Sequence, residues 1–451
     1  MDAQPRLVVV GNGMVGQRFL EALDPAVGFR ITVLAEEPRT AYDRVQLSTL
    51  FSGRSALDLS LAPAGFFESA HIALRLGERA TAIDRRARRV HTHQNCEYAY
   101  DKLVLATGSS PFVPPIPGCD RGGCHVYRTI EDLDAIRASS RNAVSGVVIG
   151  GGLLGLEAAK ALADLGLATH VVEFAPRLMA LQVDDGGGAM LRRRIAALGV
   201  SVHTAKDTRA IRDGVHARHA LEFADGETLE ADVVVFSAGI RPRDELARAA
   251  GLEIGARGGV LIDDACCSSD PDILAIGECA LWGGRIFGLV SPGYRMAEVA
   301  AAQLSGRREA RFTGADSSTK LKLLGVEVAS VGDAHGATRG ARSYSFADER
   351  GGIYRKLVVD EQGSRLLGAI LVGDASQYGS CVAMLRQELP LPEHPEDLLL
   401  PARAAGASAD AGGASDGLAA LAGSAQVCSC NNVSKRTICE AVEHGCTTLG
   451  A

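Results

Sequence analysis

The feature that most constrains the fold is a glycine pattern that occurs twice, about 140 residues apart. Gly11 to Gly16 (GNGMVG) follows the apolar run Leu7 to Val10, and Gly150 to Gly155 (GGGLLG) follows Val147 to Ile149. In a G-x-G-x-x-G loop the first glycine allows a tight turn and the second leaves room for a pyrophosphate. The third lets a helix pack closely on a strand. The free N–H groups at the start of that helix attract anions.

The segments around each loop supply the other parts of a nucleotide-binding unit. After the first loop we predict a helix from Gln17 to Leu23 and a strand from Ile31 to Leu34. After the second we predict a helix from Leu156 to Leu165 and a strand from His170 to Val172. The sequence therefore predicts an α/β protein with two doubly wound, Rossmann-like domains. The predicted contacts are Gly11, Gly13, Met14, Val15 and Gly16 in the first loop, and Gly150, Gly152, Leu154 and Gly155 in the second.

An acidic residue about 20 residues beyond each loop should bind the ribose hydroxyls of the nucleotide. Glu36 and Glu37 both stand near that distance from the first loop, and the sequence does not choose between them. Glu173 follows the strand after the second loop. A carboxylate there accepts a hydrogen bond from a free 2′-hydroxyl and repels a 2′-phosphate, so it favours NADH over NADPH. Arg177, four residues later, could weaken that preference.

Two nucleotide sites on one chain predict a transfer between two nucleotides. A nicotinamide donates a hydride to a partner held in contact with it, and a bound flavin is the simplest acceptor. This transfer depends on proximity and alignment rather than on proton transfer by the protein. No catalytic side chain is therefore predicted.

Composition narrows the class of protein. The length of 451 residues corresponds to about three domains. Apolar residues make up 47% and charged residues 22%, which excludes disorder as the main state. A net charge of −7 argues against nucleic-acid binding, which normally requires a basic excess. No run of about 18 uncharged apolar residues occurs, so no membrane span is expected.

The N-terminal sequence MDAQPRLVVVGNG leads directly into the first strand and loop, without the features of a signal peptide. We therefore expect a cytoplasmic protein. Its 11 cysteines should be reduced thiols or metal ligands in that compartment, not disulfides.

Three regions lie outside the glycine units. Arg75 to Val90 is arginine-rich and predicts a solvated strand pair with an exposed turn, with a polyanion site as the alternative. Lys320 to Leu400 contains short strands such as Lys356 to Val359 and Leu367 to Val372, which predicts a separate α+β domain. Pro401 to Gln426 is rich in Ala, Gly and Ser and predicts a flexible linker.

Four motifs in order resemble those of the FAD-dependent pyridine-nucleotide oxidoreductases over about residues 6–310. They are the first glycine loop, Leu103 to Ser109 (LVLATGS), the second glycine loop, and Asp272 to Glu278 (DILAIGE). In that family the fourth motif usually ends in Asp, whose longer homologue Glu can still accept the same hydrogen bond. The resemblance implies FAD contacts from Thr107, Gly108, Gly277 and Glu278.

Further positions extend the resemblance. Tyr42 to Ser48 (YDRVQLS) resembles a family segment whose arginine approaches FAD, which implies that role for Arg44. Related reductases continue with Lys, whereas this chain has Thr49. Glu157 matches an acid near the nicotinamide amide, and an ordinary place on the helix surface is the alternative. A helix from Ser291 to Gln303 would point its N-terminus at the flavin and stabilise its anionic reduced form.

The cysteine pattern differs from that of the disulfide reductases in this superfamily. Those enzymes have a C-x4-C pair soon after the first strand pair, and residues 36–60 of this chain contain no cysteine. Cys119 and Cys124 have the spacing, but they follow a proline-rich segment between the Ala-Thr-Gly motif and the second loop. We expect loop thiols there, with a redox pair as the alternative. The flavin must then pass its electrons elsewhere.

The C-terminal tail offers an acceptor. Cys428 and Cys430, followed by Asn-Asn-Val, resemble the start of the small [2Fe–2S] domain of the bacterioferritin-associated ferredoxin type. That domain adds a C-x2-C pair further along, which does not occur before Ala451, and a cluster needs four ligands. A four-cysteine site with Cys439 and Cys446 is a minor alternative. We expect an incomplete [2Fe–2S] site in a chain cut inside this domain.

A flavin reductase with the Tyr42 to Ser48 segment, the domain at Lys320 to Leu400 and this cysteine-bearing tail resembles the N-terminal half of the large subunits of NAD(P)H-dependent nitrite reductases. The resemblance implies FAD, NAD(P)H with NADH favoured, and a [2Fe–2S] cluster in the intact protein. It also implies a later half that holds sirohaem and a [4Fe–4S] cluster and reduces nitrite to ammonium in nitrate assimilation. The implied partners are a small subunit and further copies of the chain, with no nucleic acid and no membrane.

Three alternatives remain open. They are the electron-transfer subunit of assimilatory nitrate reductase, another ferredoxin- or rubredoxin-type reductase, and a nucleotide sensor that binds without turnover. In every reading except the sensor, the chain alone should oxidise NADH with an artificial acceptor and should not reduce nitrite.

The predicted organisation has five parts. They are an FAD-binding domain at residues 1–115 and 238–312, an NAD(P)H-binding domain at 116–237, an α+β interface domain at 313–400, the linker at 401–426, and an incomplete [2Fe–2S] domain at 427–451.

Overall fold

The computed structural model describes residues 4–63, 65–68, 72–315, 318–323, 325–392, 394–400, 423, 426–428 and 433–446. The chain forms two compact units. The first unit comprises residues 1–112, 128–131 and 239–316, and the second comprises residues 113–127, 132–238 and 317–451. Residues 128–131 thus belong to the first unit although the sequence on both sides of them belongs to the second.

The described residues form eight α-helices, which are numbered in chain order. They are α1 (Met14–Ala22), α2 (Ile130–Ser140), α3 (Leu153–Asp164), α4 (Asp185–Ala196), α5 (Glu245–Ala249), α6 (Val290–Leu304), α7 (Tyr378–Arg386) and α8 (Lys435–Glu443). Short 3₁₀ segments include Arg44–Ser52 and Gly277–Cys279.

The strands of the described residues are also numbered in chain order. The first sixteen are β1 (Arg6–Val10), β2 (Arg30–Leu34), β3 (Ile72–Arg75), β4 (Ala80–Asp84), β5 (Arg89–Thr92), β6 (Glu97–Ala99), β7 (Lys102–Leu105), β8 (Ser109–Pro111), β9 (Cys124–Val126), β10 (Ser145–Ile149), β11 (Ala168–Val172), β12 (Ser201–His203), β13 (Thr208–Asp213), β14 (His219–Phe223), β15 (Thr228–Ala231) and β16 (Val233–Phe236). The others are β17 (Ile240–Pro242), β18 (Val260–Leu261), β19 (Ile273–Ala275), β20 (Ala280–Leu281), β21 (Thr319–Leu323), β22 (Val326–Gly332), β23 (Arg342–Asp348), β24 (Ile353–Val359), β25 (Leu366–Val372), β26 (Gln426–Cys428) and β27 (Val433–Ser434).

A parallel five-stranded sheet forms the centre of the first unit, in the order β19-β7-β1-β2-β3. Its strands are rich in Leu, Val and Ile, and Leu7, Val9 and Leu103 are fully buried, as expected for a sheet covered on both faces. The helices α1 and α6 pack against each other. Because the carboxyl ends of parallel strands meet at one edge, the loops after β1, β2, β7 and β19 gather there.

The second unit contains an equivalent parallel sheet, in the order β12-β11-β10-β16-β9. Val147, Val171 and Val234 are fully buried in it. The helix α3 packs on β10 and β11. The loops after β10, β11 and β16 therefore share one edge, as their counterparts do in the first unit.

The C-terminal part of the second unit is a five-stranded antiparallel sheet, β21-β22-β25-β24-β23, with α7 packed on it. It also contacts α4. The Tyr354 hydroxyl donates to Asp184 at 2.9 Å, and Lys356 Nζ lies 3.1 Å from the same carboxylate. A Cβ on Gly186 would lie 2.5 Å from the Tyr354 ring. This close packing explains Gly186 in the first turn of α4.

The structure confirms the predicted α/β class, with two doubly wound sheets and an α+β C-terminal part. The helix after each loop begins earlier than predicted, at Met14 and Leu153, because Gly13 and Gly152 are the N-cap residues. Most of the predicted linker lies outside the described residues. Within the part of the chain that the structure describes, no helix combines the length and apolarity needed to cross a bilayer.

Candidate nucleotide-binding sites

The first glycine loop has the backbone geometry of a phosphate cradle. Gly11 has a φ of 107°, and its N–H donates to Leu34 O at 2.8 Å. A Cβ on Gly11 would lie 2.2 Å from Ala106 O, and one on Gly16 would lie 2.4 Å from Gly11 O. Since Cβ atoms do not approach oxygens so closely, only glycine fits these two positions, as the sequence analysis predicted.

The space beside the loop is open for a ligand. A Cβ on Gly13 would meet nothing within 4 Å, and the first turn of α1 has no side-chain cap. Asn12 lies between the two glycines, and both polar atoms of its amide are buried without a hydrogen-bond partner in the described residues. A buried amide in this state is costly unless a ligand binds it. The open cradle and the unpartnered amide fit the phosphates of a dinucleotide.

The other predicted flavin motifs gather at the same edge of the sheet. β7 leads into Thr107 and Gly108, and β19 leads into Gly277 and Glu278. Val15, at the start of α1, is the side chain that a Cβ on Gly277 would meet at 3.3 Å. A Cβ on Gly293, in the first turn of α6, would lie 2.6 Å from the same valine. The first loop, the Gly277 turn and the start of α6 are therefore in contact.

The two acids that follow β2 have different environments. Glu37 accepts hydrogen bonds from the Tyr42 hydroxyl at 2.7 Å and from Arg44, one on each oxygen. Glu36 is more exposed and pairs with Arg243 at 2.5 Å, with Arg79 3.7 Å away. Glu37 is therefore occupied by Tyr42 and Arg44, whereas Glu36 has the more exposed carboxylate at this edge of the sheet.

Arg44 is held from three sides. Its Nη1 donates to Arg128 O at 2.9 Å, Nη2 binds Glu37, and the guanidinium lies 4.9 Å from the Tyr42 ring centroid. Burial by itself lowers the pKa of Arg44, but Tyr42 and Glu37 raise it more, so the net shift is upward. Burial also raises the pKa of the Tyr42 phenol. Arg44 is thus a fixed cation beside the first cradle.

Glu278 is bound by a residue that the sequence analysis did not single out. Arg128 Nη2 lies 2.5 Å from Glu278 Oε2, and the Ser109 hydroxyl donates to the same oxygen at 2.8 Å. Because the Arg128 carbonyl also accepts a hydrogen bond from Arg44, Arg128 connects the Tyr42 to Ser48 segment with the Gly277 turn. A lone arginine in a connecting segment gives no sequence signal, and only the inclusion of residues 128–131 in the first unit reveals it.

The second glycine loop repeats the backbone geometry of the first. Gly150 has a φ of 122°, and a Cβ there would lie 2.2 Å from Ser237 O. A Cβ on Gly155 would lie 1.9 Å from Gly150 O, whereas one on Gly152 would meet nothing within 4 Å. Leu154 and Glu157 lie in the first turns of α3 and are partly buried. This cradle therefore also fits the phosphates of a dinucleotide.

Glu173 lies directly after β11 and is held by backbone amides. Gly151 N–H donates to its Oε2 at 2.5 Å, and Ala175 N–H donates to its Oε1 at 2.7 Å. The Arg177 guanidinium is engaged away from Glu173, since it donates to Val183 O at 3.0 Å and pairs with Asp185 at 2.7 Å. The Glu173 carboxylate therefore lies at the second cradle, and Arg177 is paired with the first residue of α4.

Cys119 and Cys124 pack against the buried core of the second unit, and Cys124 is the first residue of β9 rather than part of a loop. Burial raises the pKa of the Cys124 thiol to about 11, so little thiolate exists at neutral pH. These observations support packed thiols rather than a redox pair, although only Cys119 lies in a loop. Cys279, next to Glu278, is fully buried, and burial raises its pKa as well.

The predicted [2Fe–2S] residues are beyond what the structure describes in detail. Cys428 ends β26, and Cys430 lies outside the described residues. Cys439 lies exposed on α8, and Cys446 follows that helix. Among the described residues, no group of three or more His, Cys, Asp or Glu side chains is arranged to hold a metal ion.

Two dinucleotide cradles on one chain, one of them with a fixed arginine and three further motifs at its edge, define an NAD(P)H-dependent flavoprotein oxidoreductase. Residues 5–306 match the pyridine nucleotide-disulphide oxidoreductase family, and the chain belongs to this family. Residues 318–388 match the rubredoxin NAD⁺ reductase C-terminal domain.

Several characterised proteins are similar to this chain. The nitrite reductase (NADH) large subunit of Escherichia coli (strain K12) is 52% identical over 450 residues, which are 99% of this chain and 52% of the relative. The assimilatory nitrate reductase electron transfer subunit of Bacillus subtilis (strain 168) is 33% identical over 441 residues, 97% of this chain and 55% of the relative. The chain thus spans about half the length of these relatives.

A solved structure shows the same architecture. The ferredoxin reductase for the CYP199A2 system from Rhodopseudomonas palustris aligns with a TM-score of 0.78 at 27% identity. The alignment covers 88% of this chain and 98% of that one.

Proposed function

We propose that this chain is the part of an NAD(P)H-dependent nitrite reductase that oxidises NADH and holds FAD. The observation that supports it best is a pair of open phosphate cradles in a chain that is 52% identical to a nitrite reductase (NADH) large subunit over 99% of its length. The cradles support the binding of two dinucleotides, and the similarity supports nitrite reduction as the use of the electrons.

The proposal assigns FAD to the first cradle. Gly11, Gly13 and Gly16 would approach its pyrophosphate, with Met14 and Val15 at the start of α1. Glu36 would accept from its ribose hydroxyls, with Glu37 keeping Arg44 in place. The remaining contacts would come from Thr107, Gly108, Gly277 and Glu278, together with Arg128.

The proposal assigns NADH to the second cradle. Gly150, Gly152, Leu154 and Gly155 would bind its pyrophosphate, and Glu173 would accept from the 2′-hydroxyl of its adenosine ribose. Glu157 would face the nicotinamide amide. Because Glu173 is anionic and Arg177 is engaged with Asp185, the site should favour NADH over NADPH.

When bound, FAD supplies the ability to accept a hydride pair of electrons from NADH and to release the electrons singly. The protein residues bind and orient the nucleotides. Arg44 and the start of α6 would bring positive charge toward the flavin, and the apolar packing around Val15 and Gly293 would limit the water there. No side chain has to move a proton for this transfer.

The rest of the proposal concerns what lies downstream of the flavin. Cys428 and Cys430 would contribute to holding a [2Fe–2S] cluster, which would supply one-electron transfer, and sirohaem and a [4Fe–4S] cluster in the remainder of a full-length subunit would supply the chemistry on nitrite. Nitrite would be reduced to ammonium there. We also propose a small nitrite reductase subunit and a homo-oligomer as partners, and the cytoplasm, with its pool of NADH, as the location.

The organisation into an FAD-binding domain at residues 1–115 and 238–312, an NAD(P)H-binding domain at 116–237, an interface domain at 313–400, a linker at 401–426 and an incomplete [2Fe–2S] domain at 427–451 is part of this proposal. Limited proteolysis that cleaves within 401–426 and leaves the flavin bound would support it.

A purified preparation of this chain tests the proposed function. It should bind FAD, with an absorbance maximum at about 450 nm, and should oxidise NADH when ferricyanide is the acceptor. It should not reduce nitrite. A colourless preparation that does not bind added FAD, or one that binds FAD and does not consume NADH with any dye, would contradict the proposal.

The electron-transfer subunit of an assimilatory nitrate reductase is a second candidate, because such a subunit is 33% identical over 97% of the chain. Reconstitution separates the two. Reduced chain that supplies electrons to a nitrate reductase but not to the sirohaem half of a nitrite reductase would favour the second candidate.

A further inference from the structure

Arg243 lies where the chain re-enters the first unit after the second glycine domain. Residues Ile240–Pro242 form β17, which pairs with β8. Directly after β17, Arg243 N–H donates to Gly108 O at 3.0 Å, and the Thr107 hydroxyl donates to Arg243 O at 2.7 Å. The backbone of residue 243 is therefore fixed on both sides to the Ala-Thr-Gly turn.

The side chain of Arg243 reaches a different motif. Its Nη2 lies 2.5 Å from Glu36 Oε2. The two residues are 207 positions apart in sequence, and Glu36 stands two residues after the end of β2, at the edge where the first cradle opens. One arginine thus connects the acid of the first nucleotide unit with the turn after β7.

Stability alone does not account for this pair. About 40% of each side chain is exposed, and exposed ion pairs contribute little to folding stability. The pair does restrict the position of Glu36, which would otherwise be a flexible surface side chain. The Arg243–Glu36 pair should therefore affect the binding of a ligand to the Glu36 carboxylate more than the stability of the fold.

The Glu36 carboxylate keeps room for a ligand. Arg243 binds Oε2, and the second cation, Arg79, lies 3.7 Å from Oε1, beyond hydrogen-bond distance. Each carboxylate oxygen accepts about two hydrogen bonds, so acceptor positions remain for hydroxyl donors. A carboxylate accepts stronger hydrogen bonds from hydroxyls than an uncharged oxygen does.

We infer that Arg243 is a positioning residue for the adenosine ribose of FAD, and that the Arg243–Glu36 pair makes the first site select FAD over FMN. The inference rests on the proposed assignment of FAD to this cradle. FMN has no adenosine ribose, so it has nothing to place on Glu36. The pair therefore affects binding of the dinucleotide and not of the mononucleotide.

Titration of the flavin-free chain with FAD and with FMN, followed by flavin fluorescence, tests this inference. Arg243→Ala should weaken FAD binding about tenfold, as expected for one charge-assisted hydrogen bond, and should leave FMN binding unchanged. Glu36→Gln should have the same effect. The double variant should bind FAD no more weakly than either single variant, because both changes remove one interaction. Arg243→Lys should restore part of the loss.

Arg241→Ala is the matched control. Arg241 is exposed, lies two residues away, and stacks on Phe112 at 4.0 Å from the ring centroid. It does not contact Glu36 in the described structure, so its loss should leave the FAD-to-FMN preference unchanged. Equal weakening of FAD and FMN by Arg243→Ala, or additive effects in the double variant, would overturn the inference. Failure of the unmodified chain to bind FAD would refute the proposed function instead. The FAD titration of the unmodified chain therefore separates that outcome from failure of the inference about Arg243.

Discussion

The two glycine loops have nearly the same backbone and very different surroundings. Both begin with a glycine at positive φ, both place a glycine N-cap in open space, and both hydrogen-bond to the last residue of the following strand at 2.8 Å. The middle residue differs. Asn12 has an unpartnered amide in the first loop, whereas Gly151 in the second is closely covered by Leu178, which a Cβ would meet at 2.5 Å.

The acids that follow the loops differ even more. Glu173 is held by amides of its own neighbourhood, from Gly151 and Ala175. Glu36 is held by Arg243, which is distant in sequence. The comparison teaches that the phosphate cradle is a local property of a short motif. The groups that hold the acid beside each cradle are local in the second unit and distant in sequence in the first.

The largest effect should come from adding one methyl group to either cradle. Gly155→Ala would place a Cβ 1.9 Å from a carbonyl oxygen, and relieving that overlap costs about 3 kcal/mol, or about 100-fold in NADH affinity. The variant should keep its yellow flavin but should no longer be reduced by NADH at ordinary concentrations. Stopped-flow measurement of flavin bleaching against NADH concentration gives the result.

Gly16→Ala is the matched change in the first loop, with a Cβ 2.4 Å from Gly11 O. It should have the opposite pattern, with loss of FAD and retained NADH binding by the flavin-free chain. If both variants lost the same cofactor, the assignment of the two cradles would be wrong.

The second effect concerns the choice between NADH and NADPH. Glu173→Ala removes the carboxylate that would accept from the 2′-hydroxyl, so the KM for NADH should rise about tenfold. The KM for NADPH should fall or stay constant, because a repulsive charge has been removed. Steady-state ferricyanide reduction with both nucleotides measures the ratio. An unchanged ratio would show that Glu173 only ties its own loop together.

The third effect is a pH dependence of the second unit. Burial lowers the pKa of His125, His170, His203 and His219 below the usual 6.5, with Lys206 and Arg192 adding to the shift at His203 and Glu227 opposing it. A histidine whose pKa is lowered in the folded state binds protons more readily when unfolded. Its contribution to the free energy of unfolding is fully present above about pH 6.5 and is lost as the pH falls toward the pKa of the folded state.

Hydrogen exchange at pH 7.5 and pH 5.5 tests this expectation unit by unit. Peptides from residues 132–238 should lose protection at the lower pH. His170 and His203 are 3.1 Å apart, and the double variant His170→Gln/His203→Gln should reduce the loss. An unchanged pH dependence in that variant would assign the effect to other groups.

The smallest effect should come from Asn12, the residue that most distinguishes the first loop. Asn12→Ala removes a buried amide that has no partner in the described residues, so the flavin-free chain should be equally stable or slightly more stable, by less than about 1 kcal/mol. FAD affinity should fall a few-fold. Thermal unfolding and FAD titration give the two quantities. Loss of stability together with unchanged FAD binding would show that the amide serves the fold.

Much of the fold was predictable because its signals are local. Each parallel sheet contains a short apolar strand followed at once by glycines at fixed spacing. The α+β part was indicated by short strands such as Lys356 to Val359, which lies within β24. The motifs Thr107-Gly108 and Gly277-Glu278 also end strands, so their meeting at one edge follows from a parallel sheet.

The groups that tune the site were not predictable in the same way. Arg128 and Arg243 stand in connecting segments without a pattern, and each acts on a carboxylate more than 100 residues away. The choice between Glu36 and Glu37 depends on Tyr42 and Arg44, which occupy Glu37. Such choices depend on distances that spacing in the sequence does not encode.

The two glycine loops and the acids that follow them can be located from the amino-acid sequence alone, because backbone conformation at a glycine and the polarity of a helix N-terminus are properties of a few adjacent residues. The pairing of Glu37 with Arg44 and of Glu36 with Arg243 is visible only in the folded chain. Charges interact strongly only over a few ångströms, and folding is what brings Arg243 that close to Glu36 and Arg128 that close to Glu278.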